Sequence, residues 1–314
     1  MSAAAKLIAD IGGTNARFAV ARDGRVEHLT VLPTGDYKTL QDAARAFLAK
    51  LPADIRVTRG AIDMAGPVTG DAVHLTNSGW SFSIAQARSE LGFTDLKVVN
   101  DFAAAALGIP LLAPSEYVKV GGGAPVAHGP IGVIGPGTGL GVASLAYADS
   151  RWMVLPGEGG HATLPAATRE ESAIIDILRD RFGHVSAERA LSGHGLQNLH
   201  QALAQVQGIA APMLTDHEIT AAALAGTDAL CGRVLDLFCD MLGTVAGNLA
   251  ITLGAGGGIF LIGGILPRIA DRFAASGFRA RFEDKGRLAD YMRPIPTNLV
   301  THENPALLGL AGLD

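Results

Sequence analysis

Glycine-rich turns between short apolar runs restrict the fold of this chain more than any other feature. Its 314 residues include 40 glycines, nearly twice the usual share of about 7%, and they follow no three-residue period. They gather instead where one apolar run ends and another begins. This distribution excludes a collagen-like helix and predicts a globular chain with many tight turns.

Two segments carry a glycine turn with apolar runs on both sides, which is the pattern of a β-hairpin. The first is KLIADIGGTNARFAVAR, residues 6–22, and a third strand is predicted over Val26–Leu32. The second is GPIGVIGPGTGLGVASLAYADSRWMVLP, residues 129–156. The repeated unit predicts two related lobes with a boundary near residues 110–120, and the Gly/Pro-rich stretch Gly121–Gly129 lies between them.

Helical patterns separate the other strands of the first half. Apolar spacing predicts a helix over Leu40–Leu51, followed by a strand over 59–66. A short strand over 96–100 then leads into a helix that ends at Gly108. Strands joined by helices predict an α/β fold in which some strands are parallel.

The stretch Met241–Pro267 contains no charged residue and is long enough to cross a bilayer. Three consecutive glycines, Gly256–Gly258, would weaken a single helix through it. We therefore predict a buried helix to about Leu253, a glycine turn and a buried strand, with no membrane segment. The N-terminal residues also lack the pattern of a signal peptide.

The charge, composition and cysteine content of the chain exclude several classes of protein. With 25 Lys+Arg against 30 Asp+Glu, the net charge is −5, so the chain offers no basic field for nucleic acid. Apolar residues make up 48% and charged residues 18%, which excludes disorder. The two cysteines, Cys231 and Cys239, are too few for a disulfide framework or a four-cysteine zinc site, and they predict a cytoplasmic protein.

Each predicted hairpin turn is a candidate phosphate site, because glycine lets backbone N–H groups approach phosphate oxygens. Alone, the first turn is better explained as a plain hairpin turn. With two such turns in the chain, a clamp on a triphosphate and a pair of plain hairpin turns explain the pattern about equally well. Asp10, at a strand end, could hold Mg²⁺ through water. Gly263-Gly264, after a buried strand, is either a platform for adenine or ribose or a strand-to-helix turn. The candidate nucleotide residues are Asp10, Ile11, Gly12, Gly13, Thr14, Gly137, Thr138, Gly139, Gly263 and Gly264.

Three further segments carry polar side chains at strand ends or in loops. Asp101 follows a predicted strand, where open α/β sheets place ligands, so it is either a helix N-cap or a general base for an alcohol. Glu158 and His161, on a glycine loop, suit a hydroxyl-rich ligand better than a metal. Glu188, in a predicted first helical turn, is by itself a structural residue.

The order of these segments resembles the bacterial glucokinase family, the ATP-dependent glucose kinases of the actin-like sugar kinase superfamily. Gly193-His194-Gly195 stands where the family commonly has Gly-Pro-Gly, and the cysteine-rich zinc motif of the related repressor/kinase family is missing. The matching segments, from about residue 6 to residue 309, are DIGGTNAR, NDFAAAALGIP, GTGLGVA, LPGEGGH, GHVSAERALSG, GNLA, IGGILPR, SGFRARFEDKGR and HENPALLG.

The resemblance implies an α/β fold of two actin-like (ribonuclease H-like) lobes around a central cleft. Residues 1–110, completed by a C-terminal helix over 302–314, would form the small domain. The large domain, 111–301, would form a homodimer. The implied catalytic base is Asp101, and the implied glucose-binding set is Asn100, Asp101, Glu158, His161 and Glu188.

The implied reaction is phosphoryl transfer from ATP, with Mg²⁺, to the 6-hydroxyl of glucose, the first step of glucose use in glycolysis. A kinase for another hexose, such as fructose or mannose, is the nearest alternative. An actin-like nucleotide switch without enzymatic activity would need the phosphate turns but no sugar set, and the sugar set is intact here.

Overall fold

A computed structural model describes residues 5–75 and 79–313. The chain divides into two compact units, which we call unit 1, Met1–Ala113 with His302–Asp314, and unit 2, Pro114–Thr301. The described strands are β1 (Ala5–Ile11), β2 (Asn15–Arg22), β3 (Arg25–Pro33), β4 (Val57–Met64), β5 (Ala72–His74), β6 (Ser81–Ser83), β7 (Asp95–Asn100), β8 (Tyr117–Gly121), β9 (Ile131–Pro136), β10 (Leu140–Ala148), β11 (Arg151–Gly157), β12 (Gly258–Leu261) and β13 (Thr297–Val300). The described α-helices are α1 (Leu40–Leu48), α2 (Ile84–Glu90), α3 (Asp101–Gly108), α4 (Arg169–Phe182), α5 (Gly193–Gln207), α6 (Asp216–Ala225), α7 (Ala229–Leu253), α8 (Ile265–Arg268), α9 (Ala270–Ala274), α10 (Phe278–Glu283), α11 (Ala289–Met292) and α12 (Pro305–Gly312).

Unit 1 is built on a five-stranded sheet with the strand order β3-β2-β1-β4-β7. The first three strands of the chain are antiparallel, as the predicted hairpin requires, whereas β1, β4 and β7 run parallel. The parallel register aligns Asp10 with Asp63, and Asn100 ends the next strand at the same edge. One sheet face buries Phe18 and Phe47, whose ring centroids lie 5.7 Å apart.

The C-terminal helix α12 packs against α3 and so belongs to unit 1. Lys6 on β1 is buried and donates hydrogen bonds from Nζ to the carbonyls of Ala311, at 3.1 Å, and Leu313, at 2.5 Å. The helix begins at Pro305, since proline is favoured at the first helical position. It is therefore shorter than the helix predicted over 302–314.

Unit 2 repeats the arrangement in a six-stranded sheet with the order β11-β10-β9-β12-β13-β8. Here β9, β10 and β11 are antiparallel neighbours, and β12 and β13 run parallel to β9. The edge strand β8 pairs antiparallel with β13 and has no counterpart in unit 1. The shared strand order confirms the prediction of two related α/β units.

Helix α7 is the central helix of unit 2. It is long and apolar enough to cross a membrane, yet 67% of its most apolar window is buried inside the protein. It begins before Met241 because Asp228 caps its N-terminus, accepting a hydrogen bond from the N–H of Cys231 at 3.0 Å. The predicted buried helix to Leu253, glycine turn and buried strand are confirmed.

Two local predictions were wrong, and one strand was not predicted. The helix predicted over Leu40–Leu51 ends at Leu48, because Pro52 disfavours helical geometry in the residue before it. Strand β8 was not predicted, since a short edge strand gives little hydrophobic signal. The stretch Gly121–Gly129 does not separate the units but lies within unit 2, where the N–H of Val126 donates to the Gly256 carbonyl at 2.8 Å.

Candidate active site

The first candidate phosphate turn, Gly12–Thr14, closes the β1–β2 hairpin of unit 1. Thr34 holds it from the following loop, because its N–H donates to the Thr14 carbonyl at 2.9 Å and its Oγ1 donates to the Gly13 carbonyl at 2.8 Å. None of the hydrogen bonds described for the chain uses the N–H groups of Gly13 and Thr14. The turn therefore keeps two donors for an anion while its carbonyls are fixed.

Asp10 ends β1 beside this turn and faces Arg17 on β2. The Arg17 Nη1 lies 3.0 Å from the Asp10 Oδ2, and the two side chains are 42% and 25% exposed. A partly exposed pair of this kind contributes little stability. It does mean that Arg17, which could have met a phosphate from the side, is engaged with the strand-end acid.

Asp63 is the acid of this site that sequence reasoning missed. It lies beside Asp10 in the sheet, is completely buried, and neither carboxyl oxygen has a hydrogen-bond partner in the described chain. Burial raises its pKa well above the ordinary value of 3.8, and the neighbouring charges of Asp10 and Asp101 raise it further, against a smaller lowering by Arg17. Asp63 therefore favours its neutral form in the folded protein. An aspartate inside the apolar strand sequence GAIDM was the available signal.

Asn100 and Asp101 stand where the last parallel strand of unit 1 passes into α3. Asn100 is the helix N-cap: its Oδ1 accepts from the N–H of Ala103 at 3.1 Å, and its Nδ2 donates to the Gly66 carbonyl at 3.2 Å. The prediction that Asp101 could be the cap was therefore wrong. Its Oδ1 accepts from the adjacent N–H of Phe102 at 2.8 Å, which orients the carboxylate at the strand's end.

The second candidate phosphate turn, Gly137–Gly139, closes the β9–β10 hairpin of unit 2. The N–H of Gly193, at the start of α5, donates to the Gly137 carbonyl at 2.9 Å. Glu188 holds the other end, because its Oε2 accepts from the N–H of Leu140 at 2.9 Å. Glu188 lies in the first turn of a helix after Ser186, as predicted, although that helix is a single 3₁₀ turn. Its carboxylate contacts the residue after the second turn, a role that its place at a helix start did not predict.

The loop with Glu158 and His161 folds into a short 3₁₀ turn that packs on the same hairpin. A Cβ added at Gly160 would lie 1.9 Å from the Leu140 carbonyl oxygen, so only glycine fits there. Both Glu158 and His161 are exposed, which leaves them accessible to a ligand. The structure thus brings the two predicted sugar segments of unit 2 together around the first residue of β10.

A pocket of about 560 Å³ lies beside the second turn in unit 2. On the side of the pocket opposite the turn, Arg268 contacts two residues of α6. Its Nη1 donates to the His217 ring at 2.8 Å, and its Nη2 lies 3.4 Å from the Asp216 Oδ2. Sequence reasoning identified the glycines that line this pocket, including Gly264, but did not single out these side chains. Asp216 and His217 begin α6 and Arg268 ends α8, so they come together only in the folded chain. The lining residues are Gly137, Thr138, Gly193, His194, Gln197, Asp216, His217, Gly264, Ile265 and Arg268.

The predicted site residues thus form one group in each unit. In unit 1 the first turn, Asp10 and the Asn100-Asp101 pair share the carboxyl edge of the parallel strands. In unit 2 the second turn contacts Glu188, adjoins the loop of Glu158 and His161, and shares a pocket with Gly264. One group places acids beside a glycine turn, and the other places carboxylate and imidazole side chains beside a second glycine turn.

Comparison with known proteins decides which family has this pair of groups. The sequence model of the glucokinase family matches residues 7–313. The chain belongs to the glucokinase family. It is 54% identical over 310 residues to the glucokinase of Nitrobacter hamburgensis, covering 99% of this chain and 97% of that protein. It is 49% identical over 309 residues to the glucokinase of Paramagnetospirillum magneticum, covering 98% and 96%.

A solved structure agrees with the sequence relatives. The crystal structure of a glucokinase from an Antarctic psychrotroph superposes with a TM-score of 0.92 at 40% identity, over 98% of both chains. The α/β fold predicted from the family resemblance is therefore confirmed, as is the assignment of the chain to an enzyme family of glucose kinases.

Proposed function

We propose that the protein transfers the γ-phosphoryl group of ATP to the 6-hydroxyl of D-glucose, giving glucose 6-phosphate and ADP. The observation that carries this proposal is the hydrogen bond between Glu188 and Leu140. It joins a carboxylate suited to sugar hydroxyls to one of the two turns proposed for phosphate within a glucokinase-family chain. A nucleotide switch without enzymatic activity has no need of such a link.

Glucose binding is assigned to both groups of residues. In unit 1 we assign Asn100 and Asp101 to glucose, and in unit 2 we assign three polar side chains to it, which the family resemblance supports. Carboxylates accept hydrogen bonds from hydroxyls, and each such charge-assisted bond contributes roughly 1.5–3 kcal/mol. The unit 2 members of the set are Glu158, His161 and Glu188.

Asp101 is proposed as the catalytic base. Its carboxylate is oriented by the Phe102 N–H and stands at a strand's carboxyl end, where α/β sheets bind ligands. It accepts the proton of the sugar 6-hydroxyl as that oxygen attacks the γ-phosphorus, and the bond from that phosphorus to the ADP oxygen breaks. Asp63 lies behind this edge as a buried acid and does not contact solvent.

ATP is assigned to the two turns and the unit 2 pocket. In this proposal the backbone N–H groups of Gly13 and Thr14 in the first turn, and of Thr138 and Gly139 in the second, bind the phosphates. The Gly137 N–H does not take part, because it donates to the Gly139 carbonyl at 2.8 Å. Gly263-Gly264 lies against the nucleoside. These donors stabilise the charge that spreads over the transferred phosphoryl group.

Mg²⁺ would be held by the ATP phosphates and would reach the Asp10 carboxylate through water, because the ion prefers oxygen ligands and keeps several of its waters. Among the described residues, no group of three or more His, Cys, Asp or Glu side chains is arranged to hold a metal ion. When bound, Mg²⁺ neutralises phosphate charge. We place the enzyme in the cytoplasm as a homodimer at the entry of glucose into glycolysis, on the family resemblance.

A coupled assay of ADP release across D-glucose, D-fructose and D-mannose tests the proposal. We expect the highest kcat/KM with glucose and negligible ADP release without sugar. A higher kcat/KM with fructose or mannose would assign the enzyme to another hexose. ADP release that no hexose stimulates would refute the kinase proposal.

A further inference from the structure

Glu188 is the only proposed sugar-binding side chain for which the described structure records a hydrogen bond to a phosphate turn. Its Oε2 accepts from the Leu140 N–H at 2.9 Å, directly after Gly139. Its Oε1 accepts no hydrogen bond from the described residues, so one carboxylate oxygen faces the turn and the other is left for a ligand. A single side chain therefore stands between two ligand sites.

The second turn is held by one short segment at both ends. The Gly193 N–H donates to the Gly137 carbonyl at 2.9 Å, while Glu188 accepts from Leu140. Ser192 joins these two points, since its Oγ donates to the Glu188 carbonyl at 2.9 Å and accepts from the N–H of Gly195 at 2.9 Å. The segment Glu188–Gly193 therefore acts as a clamp on the turn.

The Glu188 carboxylate packs closely against Gly139. A Cβ added at Gly139 would lie 2.4 Å from the Glu188 Oε2, a distance that would force the carboxylate away. A Cβ added at Gly137, two residues earlier in the same turn, would meet no atom within 4 Å. Glu188 and the turn consequently fix each other's position at one defined point.

We infer that Glu188 is a positioning residue for the phosphate turn as well as a sugar ligand, so that the sugar and nucleotide sites of unit 2 are coupled through this carboxylate. The inference rests on the proposed function and adds how its two sites communicate. Without the Leu140 hydrogen bond, a turn rich in glycine samples more backbone conformations. The turn then loses more conformational entropy when it binds phosphate, and this cost weakens nucleotide binding.

Binding of each ligand alone tests the coupling. We would titrate Mg²⁺·ADP without sugar, and D-glucose without nucleotide, into the full-length protein and its variants. Glu188→Ala should weaken Mg²⁺·ADP binding by about tenfold, whereas Glu158→Ala, which removes a sugar carboxylate without a bond to the turn, should leave it unchanged. Equal Mg²⁺·ADP affinity in these two variants would overturn the inference.

The reciprocal experiment substitutes glycines of the second turn and measures the affinity for glucose. Gly139→Ala should weaken glucose binding by about tenfold, because it displaces Glu188, whereas Gly137→Ala should leave glucose affinity unchanged. Equal glucose affinities in the two glycine variants would overturn the inference.

A conservative variant of Glu188 distinguishes a positioning role from general damage to the fold. Glu188→Gln keeps an oxygen for the Leu140 N–H but loses the charge offered to the sugar, so we expect near wild-type Mg²⁺·ADP affinity with weakened glucose binding. If Glu188→Gln loses Mg²⁺·ADP affinity as fully as Glu188→Ala, the hydrogen bond does not position the turn. Failure of the wild type to bind glucose would refute the proposed function, whereas the sugar-free Mg²⁺·ADP arm would still decide the role of Glu188 at the turn.

Discussion

The two phosphate turns have the same hairpin origin but different neighbours. The turn Gly12–Thr14 of unit 1 is fixed by Thr34, which directly follows β3, and stands beside a set of acids. The turn Gly137–Gly139 of unit 2 is fixed by Glu188 and Gly193, which lie some fifty residues further along the chain. One hairpin thus acquired a reactive edge and the other a connection to the sugar loops.

This difference teaches that one hairpin can serve two purposes according to its surroundings, since in our proposal both turns bind phosphate. Unit 1 concentrates carboxyl groups at the ends of parallel strands, where proton transfer takes place in our proposal. Unit 2 places Glu188, the loop of Glu158 and His161, and a pocket around its turn. The predictions below test this division, beginning with the largest expected effect.

Removing the base of unit 1 should have the largest effect. Asp101→Asn keeps an oxygen for the Phe102 N–H but cannot accept the hydroxyl proton, and loss of a general base typically lowers rates by about 10²–10⁴-fold. We expect kcat for glucose to fall within that range while glucose binding, measured by calorimetry, weakens only modestly. A wild-type kcat in Asp101→Asn would show that Asp101 is not the catalytic base.

Changing a sugar carboxylate of unit 2 should alter binding rather than chemistry. In Glu158→Gln the charge offered to a sugar hydroxyl is lost, so the KM for glucose should rise by roughly tenfold or more. The KM for ATP should stay near its wild-type value. Unchanged glucose kinetics together with a lower Tm would mean that the Glu158 loop is structural.

The buried acid of unit 1 should make stability depend on pH. Because burial and neighbouring carboxylates raise the folded-state pKa of Asp63 above 3.8, the folded protein retains a proton that the unfolded chain releases. The stability that Asp63 contributes is therefore lost as pH rises from the unfolded toward the folded pKa. Asp63→Asn does not titrate, and it should be more stable than wild type by about 1–3 kcal/mol at the upper end of that window.

Thermal melts of Asp63→Asn from pH 4 upward measure this difference. Its advantage over wild type should grow with pH, whereas Asp54→Asn, at an exposed aspartate of the same unit, should follow the wild-type profile. A constant difference between Asp63→Asn and wild type at every pH would show that Asp63 is ionised in the folded protein.

The smallest effect concerns the support of the first turn. Thr34→Val keeps the shape of the side chain but removes the hydroxyl that donates to the Gly13 carbonyl, a bond worth about 0.5–1.5 kcal/mol. We expect a few-fold rise in the KM for ATP and a slightly lower Tm, whereas Thr34→Ser should match the wild type. An ATP KM unaffected in Thr34→Val would mean that the backbone alone holds this turn.

Much of the fold could be predicted because its signals are local. Apolar runs around the turn at Gly12 and around that at Gly137 defined both hairpins, and strand-to-helix alternation gave the α/β class. The edge strand β8 and the place of Gly121–Gly129 within unit 2 could not be predicted, since both depend on pairing with residues far along the chain.

The sequence by itself determined the glycine turns, the strand-end acids Asp10 and Asp101 and the family, because these are written in contiguous motifs. Only the tertiary structure decided that Asp63 is a buried, unpartnered acid beside Asp10 and that Glu188 turns away from its helix to hold Leu140. Sheet register and packing set these relations. A carboxyl group's protonation and partners depend on the atoms folded around it, which local sequence does not encode.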